Sequence, residues 1–290
     1  MSTYTLTGPD PTDPTDPAAP AAPADPRFYP LRDSATMLRR NLKRMLRYPS
    51  MTLMLVGMPV VFLLLFVYVF GGTLGAGLGG SAHTAAAGRA AYANYVAPAI
   101  ILMTVTATVQ GTAISVAMDM TEGIIARLRT MHIARVSVLT GHVLGSVIQA
   151  VFSLAIVIGA ALLAGFRPAA GLGGWLAAAG FLVVVTFALV WLCVALGQLS
   201  KSVETASNLP MPLVLLPFLS SGFVPTDSLP AGLRWFAEYQ PFTPVIQTLR
   251  SLLTDKPLGN NAWIALLWCA VIALGGYLWS RRLFNREFSR

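Results

Sequence analysis

The chain has 290 residues, of which 55% are hydrophobic and only 11% charged, and its mean hydropathy is +0.66. Soluble domains carry about 25% charged residues, so the composition excludes an ordinary soluble enzyme and specifies an integral membrane protein. The net charge of +8 does not point to nucleic acid, because the cations cluster beside apolar runs, as they do at a cytoplasmic membrane face.

Met1 to Pro26 is Pro, Ala, Asp and Thr with no Lys or Arg and almost no apolar bulk. It cannot build a core, and it lacks the basic start and apolar stretch of a signal peptide. Residues 1–30 are expected to be a disordered cytoplasmic tail, and residues 31–290 one membrane domain. Between Asp33 and Tyr48, the cations Arg39, Arg40, Lys43, Arg44 and Arg47 interleave with Leu38, Leu42 and Met45. That spacing predicts a basic amphipathic helix on an anionic lipid surface.

Met51 to Phe70 is uncharged and long enough to span a bilayer, with Pro59 expected to kink it. Gly71 to Ala91 reads as a flexible Gly- and Ala-rich loop. Val96 to Met118 is the second span. Its Thr104, Thr108, Thr112 and Ser115 recur on one face. Two readings of this stripe are open: the lining of a translocation path, or helix packing with hydroxyls bonded to the preceding turn. Val138 to Ala164 is the third span, with Gly141 and Gly145 in a small-xxx-small pattern and His142 as a packing histidine. Trp175 to Gln198 is the fourth span. Leu209 to Phe223 is a short fifth span holding Pro210, Pro212 and Pro217. Two short amphipathic pieces follow, one around Leu229, Leu233 and Phe236, the other over Val245, Leu249 and Leu252. They read as half-helices dipping into the outer leaflet. Trp263 to Trp279 is the sixth span. Cys193 and Cys269 both fall inside spans and read as small buried hydrophobes.

Six spans put both termini on one side. That side holds fifteen Lys and Arg: seven before the first span, three in Asp119–Arg135, one at Lys201 and four at the C-terminus. The other side holds five. The positive-inside rule therefore expects both termini, and Asp119–Arg135, in the cytoplasm of a plasma-membrane protein. The fold expected is all-α: six transmembrane helices, an N-terminal interface helix, a cytoplasmic helix after span two, and outer re-entrant half-helices.

The segment D-M-T-E-G-I-I-A-R-L-R-T-M-H-I-A-R, Asp119 to Arg135, is too short and too charged to cross a membrane. Asp119 or Thr121 can cap it, Glu122 favours its first turn, and Ile124, Leu128 and Met131 form an apolar stripe. It is either an amphipathic connector or a surface presented to a soluble partner. No phosphate-binding Gly-x-x-x-x-Gly-Lys-Ser/Thr loop occurs; the lysines are Lys43, Lys201 and Lys256. No cluster has metal-ligand spacing. No carboxylate falls inside the six expected spans, which argues against an ion-coupled carrier, with His142 as the one opening.

Three stretches together resemble the type 2 ABC transporter permeases, in particular the daunorubicin/doxorubicin-resistance exporters of actinobacteria. They are Asp119 with Gly123-Ile-Ile-Ala-Arg127-Leu-Arg129-Thr-Met131 and Ala134-Arg135; Leu216-Pro-Phe-Leu-Ser-Ser-Gly222-Phe-Val-Pro225 with Leu229-Pro230; and Gln240-Pro-Phe-Thr-Pro244 running to Leu249-Arg250. His132 departs from the pattern, standing where the family often has proline. The resemblance implies a homodimeric permease paired with a separate ATPase subunit that binds ATP and Mg, so this chain would hold no cofactor and catalyse nothing itself. It implies that Asp119, Glu122, Gly123, Arg127, Arg129 and Arg135 couple to that ATPase. It also implies multidrug efflux of an apolar or amphipathic small molecule. The alternative is a non-transport membrane subunit that anchors an ATPase-containing complex.

Overall fold

A computed structural model describes residues 49–76, 85–121 and 135–287 of the chain. The amphipathic helix expected before Tyr48, and Glu122, Gly123, Arg127 and Arg129, lie outside the described residues. The described residues are helical, with no strand among them.

Helix α1, Pro49–Leu64, runs on as a π-helical turn over Leu65–Phe70 and then α2, Gly71–Ala76. Its helical hydrogen-bonding pattern continues through Pro59, and the irregularity falls six residues later. Helix α3, Ala85–Thr121, is 37 residues long and so extends about 55 Å. The expected loop of residues 71–91 is thus helical at both ends. The reason is a close crossing: a Cβ placed on Gly75 would stand 1.9 Å from the Gly88 carbonyl oxygen. Two glycines let the backbones of α2 and α3 touch, and that contact holds Gly-rich sequence helical.

Helix α4, Arg135–Leu163, ends in a Schellman motif. Gly165 takes φ +108°, and the N–H groups of Gly165 and Phe166 donate to the carbonyls of Leu162 and Ala161. Pro168 then forbids continuation, and α5, Leu172–Leu199, begins. The short return is followed by α6, Val203–Asn208, capped by Ser202, whose Oγ accepts the Thr205 N–H at 3.2 Å.

The expected fifth span is not one helix. Over Leu209 to Phe223 it is α7, Met211–Leu215, then a 3-10 turn over Leu216–Leu219 and a further turn, with α6 ending just before it. Pro210, Pro212 and Pro217 each remove a backbone donor and clash with the preceding turn, which breaks the run. Among the described residues five helical stretches are long and apolar enough to cross a membrane, and Val203–Leu219 falls short of that length. The two short amphipathic pieces are α8, Ala231–Tyr239, and α9, Phe242–Leu253, about 14 and 18 Å long. Helix α10, Asn261–Glu287, closes the bundle.

Helix α3 is the core. Its most apolar window is 72% buried, against 28% for α1 and 17% for α10, so α1 and α10 present their apolar side chains outward. Glycines set the closest approaches. A Cβ on Gly197 of α5 would meet the Ala113 carbonyl of α3 at 2.6 Å, and one on Gly276 of α10 would meet the α5 backbone at 2.7 Å. Cys193 and Cys269 are free and buried, as small hydrophobes are.

Candidate functional site

The seam between α3 and α4 follows from the polar stripe. The Thr104 hydroxyl donates to the Ile100 carbonyl at 2.8 Å, and the Thr108 hydroxyl to the Thr104 carbonyl at 2.9 Å. Both bonds close on the helix itself, as buried threonines do in an apolar environment. Thr112 instead reaches across, donating to Ser146 Oγ of α4 at 2.7 Å. These three threonines are buried, whereas Ser115 is half-buried. The arrangement has the geometry of helix packing.

One helical step beyond the stripe, Asp119 Oδ2 stands 3.0 Å from His142 Nε2, with both side chains buried. Asp119 lies in the last turn of α3, inside the stretch of span two, so the span does carry a carboxylate. The sequence boundary at Met118 stopped one residue short of it. An imidazole beside a buried carboxylate satisfies a group that would otherwise cost several kcal/mol to desolvate. Arg135 is the first residue of α4. Residues 122–134 thus follow α3 and precede α4 in the chain, and the Asp119–His142 pair ties those two helices together at that end.

The other end of α3 carries a second polar cluster. Pro98 has no N–H, which interrupts the ladder of α3 by freeing the Asn94 carbonyl. One residue along the same turn Arg250 of α9 docks: its Nη2 donates to the Tyr95 carbonyl at 3.1 Å and to the Ser221 carbonyl at 3.1 Å, with the guanidinium 4.0 Å over the Tyr95 ring. Burial pushes the Arg250 pKa down, and Tyr95 opposes that shift. The Tyr95 hydroxyl donates to the Ser221 carbonyl at 2.9 Å, and the Tyr92 hydroxyl to the Phe223 carbonyl at 3.2 Å. Gln240 Nε2 donates to the Leu219 carbonyl at 2.6 Å, and the Ser221 N–H donates to Thr243 Oγ1. Residues 240–250 thus hold the turn at 219–223, and two sequence stretches that looked separate form one structure. Gly222 is needed there, since a Cβ would stand 2.5 Å from the Ala99 side chain. Phe62 and Phe66 of the first helical stretch pack on Phe218 and Phe223. On exposed α8, Arg234 bonds Glu238 and pairs with Asp227, which raises its pKa, the Glu238 hydrogen bond first.

The family described as ABC-2 type transporter matches residues 33–254, three quarters of the chain. The chain belongs to that family. This ABC-2 chain is similar to the "Daunorubicin resistance ABC transporter permease protein DrrB1" of Streptomyces coeruleorubidus, 29% identical over 220 residues, covering 75% of this chain and 74% of the relative. It is also similar to the "Probable doxorubicin resistance ABC transporter permease protein DrrC" of Mycobacterium tuberculosis, 23% identical over 152 residues, 52% of this chain and 55% of the relative. The ABC-2 membership and the apolar helices make it a multi-pass membrane protein. Sequence reasoning singled out the threonine stripe, of which Thr112 reaches across to α4, but gave Arg250 no role and missed the Asp119–His142 pair. A lone cation among the apolar residues of 242–253 was the available signal for the first.

Proposed function

We propose that the chain is the membrane subunit of an ATP-driven exporter that moves an apolar or amphipathic small molecule outward. A second copy and a separate ATPase subunit, which binds ATP and Mg, would complete it. Both termini and residues 119–135 face the cytoplasm in this reading. The broken run Val203–Leu219 serves as the sixth crossing, and α8 and α9 sit in the outer leaflet. The observation that carries the reading is the Asp119–His142 pair. It fastens together the two helices entering and leaving the charged segment, so force applied to that segment would reach α3 and α4 as one body. The names of the drug-resistance relatives support an apolar cargo. Coupling would then be a difference in contacts between two states of the segment, the only way a nucleotide can bias a remote gate.

Charge reversal at Glu122 or Arg127 should leave the protein folded in the membrane and abolish ATP-driven transport. Co-purification with the ATPase and transport in liposomes holding both chains measure this. Full activity in both variants would remove the lever. A membrane anchor, by contrast, would show no cargo-stimulated ATP turnover.

One observation favours a second reading. Asp119 and His142 form a buried titratable pair at the end of a span, as proton-coupled carriers have. That reading requires transport by this chain alone under a pH gradient, with no ATPase present.

A further inference from the structure

Between α4 and α5 lies a groove of about 380 Å³, floored by Ile101 of α3 and by Leu249 and Leu253 of α9. Its wall carries no charge. Among the described residues the one hydroxyl lining it belongs to Thr186 and is occupied, donating to the Leu182 carbonyl at 2.7 Å. Such a wall offers a polar ligand nothing, and it fits hydrocarbon.

The groove opens sideways. Val151 and Val183, on its two lips, are 51% and 41% exposed, while Leu249 and Leu253 on the floor are buried. In a multi-pass protein that lateral opening faces the acyl chains of the bilayer. Length fits as well. The lining runs from Val147 to Ile158 on α4 and from Trp175 to Thr186 on α5. Eleven residues of rise make about 16 Å, half of a hydrocarbon core about 30 Å thick, or one leaflet.

The head of the groove is built differently. Its end is the α4–α5 turn, clamped to α9 where the Ala170 N–H donates to the Leu253 carbonyl at 3.2 Å. Leu253 is also a floor residue, so the turn sits directly at the groove's end. There Arg167 is exposed. Its Nη1 donates to the Leu162 carbonyl at 2.7 Å and to the Phe166 carbonyl at 3.1 Å, which fixes the guanidinium over the end of α4. No acidic side chain among the described residues pairs with it. Trp175 stands at the same end, where an indole suits the headgroup layer.

We propose that this groove holds one acyl chain of an anionic membrane phospholipid, with the lipid phosphate at Arg167. The proposal rests on the chain being a multi-pass membrane protein and not on export, so a preparation that transports nothing still tests it.

The test uses the full chain in bilayers doped with phosphatidylglycerol carrying a photoreactive group on its acyl chain, followed by peptide mapping. Labelling should concentrate on Val151–Leu154 and Ala179–Val183 rather than on the outward face of α10. Ala179→Phe, which fills the groove from an exposed wall position, should remove most of it. Val151→Phe does so from the opposite lip, should the first variant not fold. Arg167→Gln should cut labelling by phosphatidylglycerol about fivefold, the weight of one cation at an anionic lipid surface, and leave a phosphatidylcholine probe unchanged. Equal labelling of groove and α10, insensitive to either Phe variant, would overturn the site. Equal labelling by both lipids, unaffected by Arg167→Gln, would overturn the headgroup assignment. Displacement of the probe by daunorubicin would make the occupant cargo and overturn the lipid.

Discussion

Consider truncating His142 to alanine. Its Nε2 lies 3.0 Å from Asp119 Oδ2, and the two residues keep only 5% and 2% exposure. Removing one member of a buried pair strands the other charge, at a cost of about 3–5 kcal/mol. The lower end applies, because Asp119 makes a further interaction. About 3 kcal/mol corresponds to roughly 6–12 °C of melting temperature for a domain of this size. Asp119→Ala should cost less, about 1–3 kcal/mol, the penalty for leaving one buried polar group without its partner. The double variant should lose clearly less stability than the two single losses added together, since with both groups gone no charge is left buried. The assay is the melting temperature of detergent-purified protein for wild type, both singles and the double, repeated at high salt. A buried pair is screened weakly, so the coupling should persist in salt. Singles that add within about 0.5 kcal/mol, or a coupling that vanishes in salt, would refute the argument that this pair ties α3 to α4.

Other expectations follow from single contacts. Arg250→Met keeps the length of the side chain but loses the donors to the Tyr95 and Ser221 carbonyls. It should cost about 2–3 kcal/mol, and Arg250→Lys should recover only part of the loss because an ammonium lacks the planar group that lies over the Tyr95 ring; melting curves measure both. Gly75→Ala must push α2 off Gly88 and should cost about 1–3 kcal/mol, while Gly57→Ala, which meets nothing within 4 Å, serves as the near-neutral control in the same melting assay. Thr104→Val removes a hydroxyl bonded only to its own helix and should change stability by about 1 kcal/mol or less, and in the exporter reading it should leave the range of molecules carried unchanged. A shift in that range would show that the stripe touches cargo.

The long elements were legible because uninterrupted apolar length is the strongest signal a membrane imposes. Spans three, four and six each fall within a few residues of α4, α5 and α10, with α10 running further at its charged end. The misses share one cause. Residues 71–91 looked like loop because glycine is a poor helix former in isolation, whereas the close contact of Gly75 with Gly88 is a tertiary fact with no local trace. The fifth span was drawn as one helix although its three prolines were visible. Its apolar composition outweighed a backbone rule that the fold obeys. Pro98 in the second span passed without comment, and it marks the turn where Arg250 docks. The Asp119–His142 pair could not be read at all, since its members are 23 residues apart on different helices and one had been assigned to a cap.

These two polar clusters sit near opposite ends of one rod. Tyr95 and Asp119 are 24 residues apart on α3, about 36 Å. Between them α3 is held by Gly197 against Ala113, by Gly222 against Ala99, and by Gln110 Nε2 donating to the Ser207 carbonyl at 2.8 Å. Close-packed contacts of this kind do not deform continuously; they keep one arrangement or change to another. A displacement at the charged segment therefore cannot be taken up by α3 alone. It must carry α4 through Asp119 and His142, and the turn at 219–223 through Tyr95 and Arg250. In the exporter reading, that is how an event at one membrane face would reach the other. The gate would then be the place where this packed body meets something looser. Helix α1 is the natural candidate for that boundary, with a largely exposed apolar face, an open Gly57 and a π turn in its path.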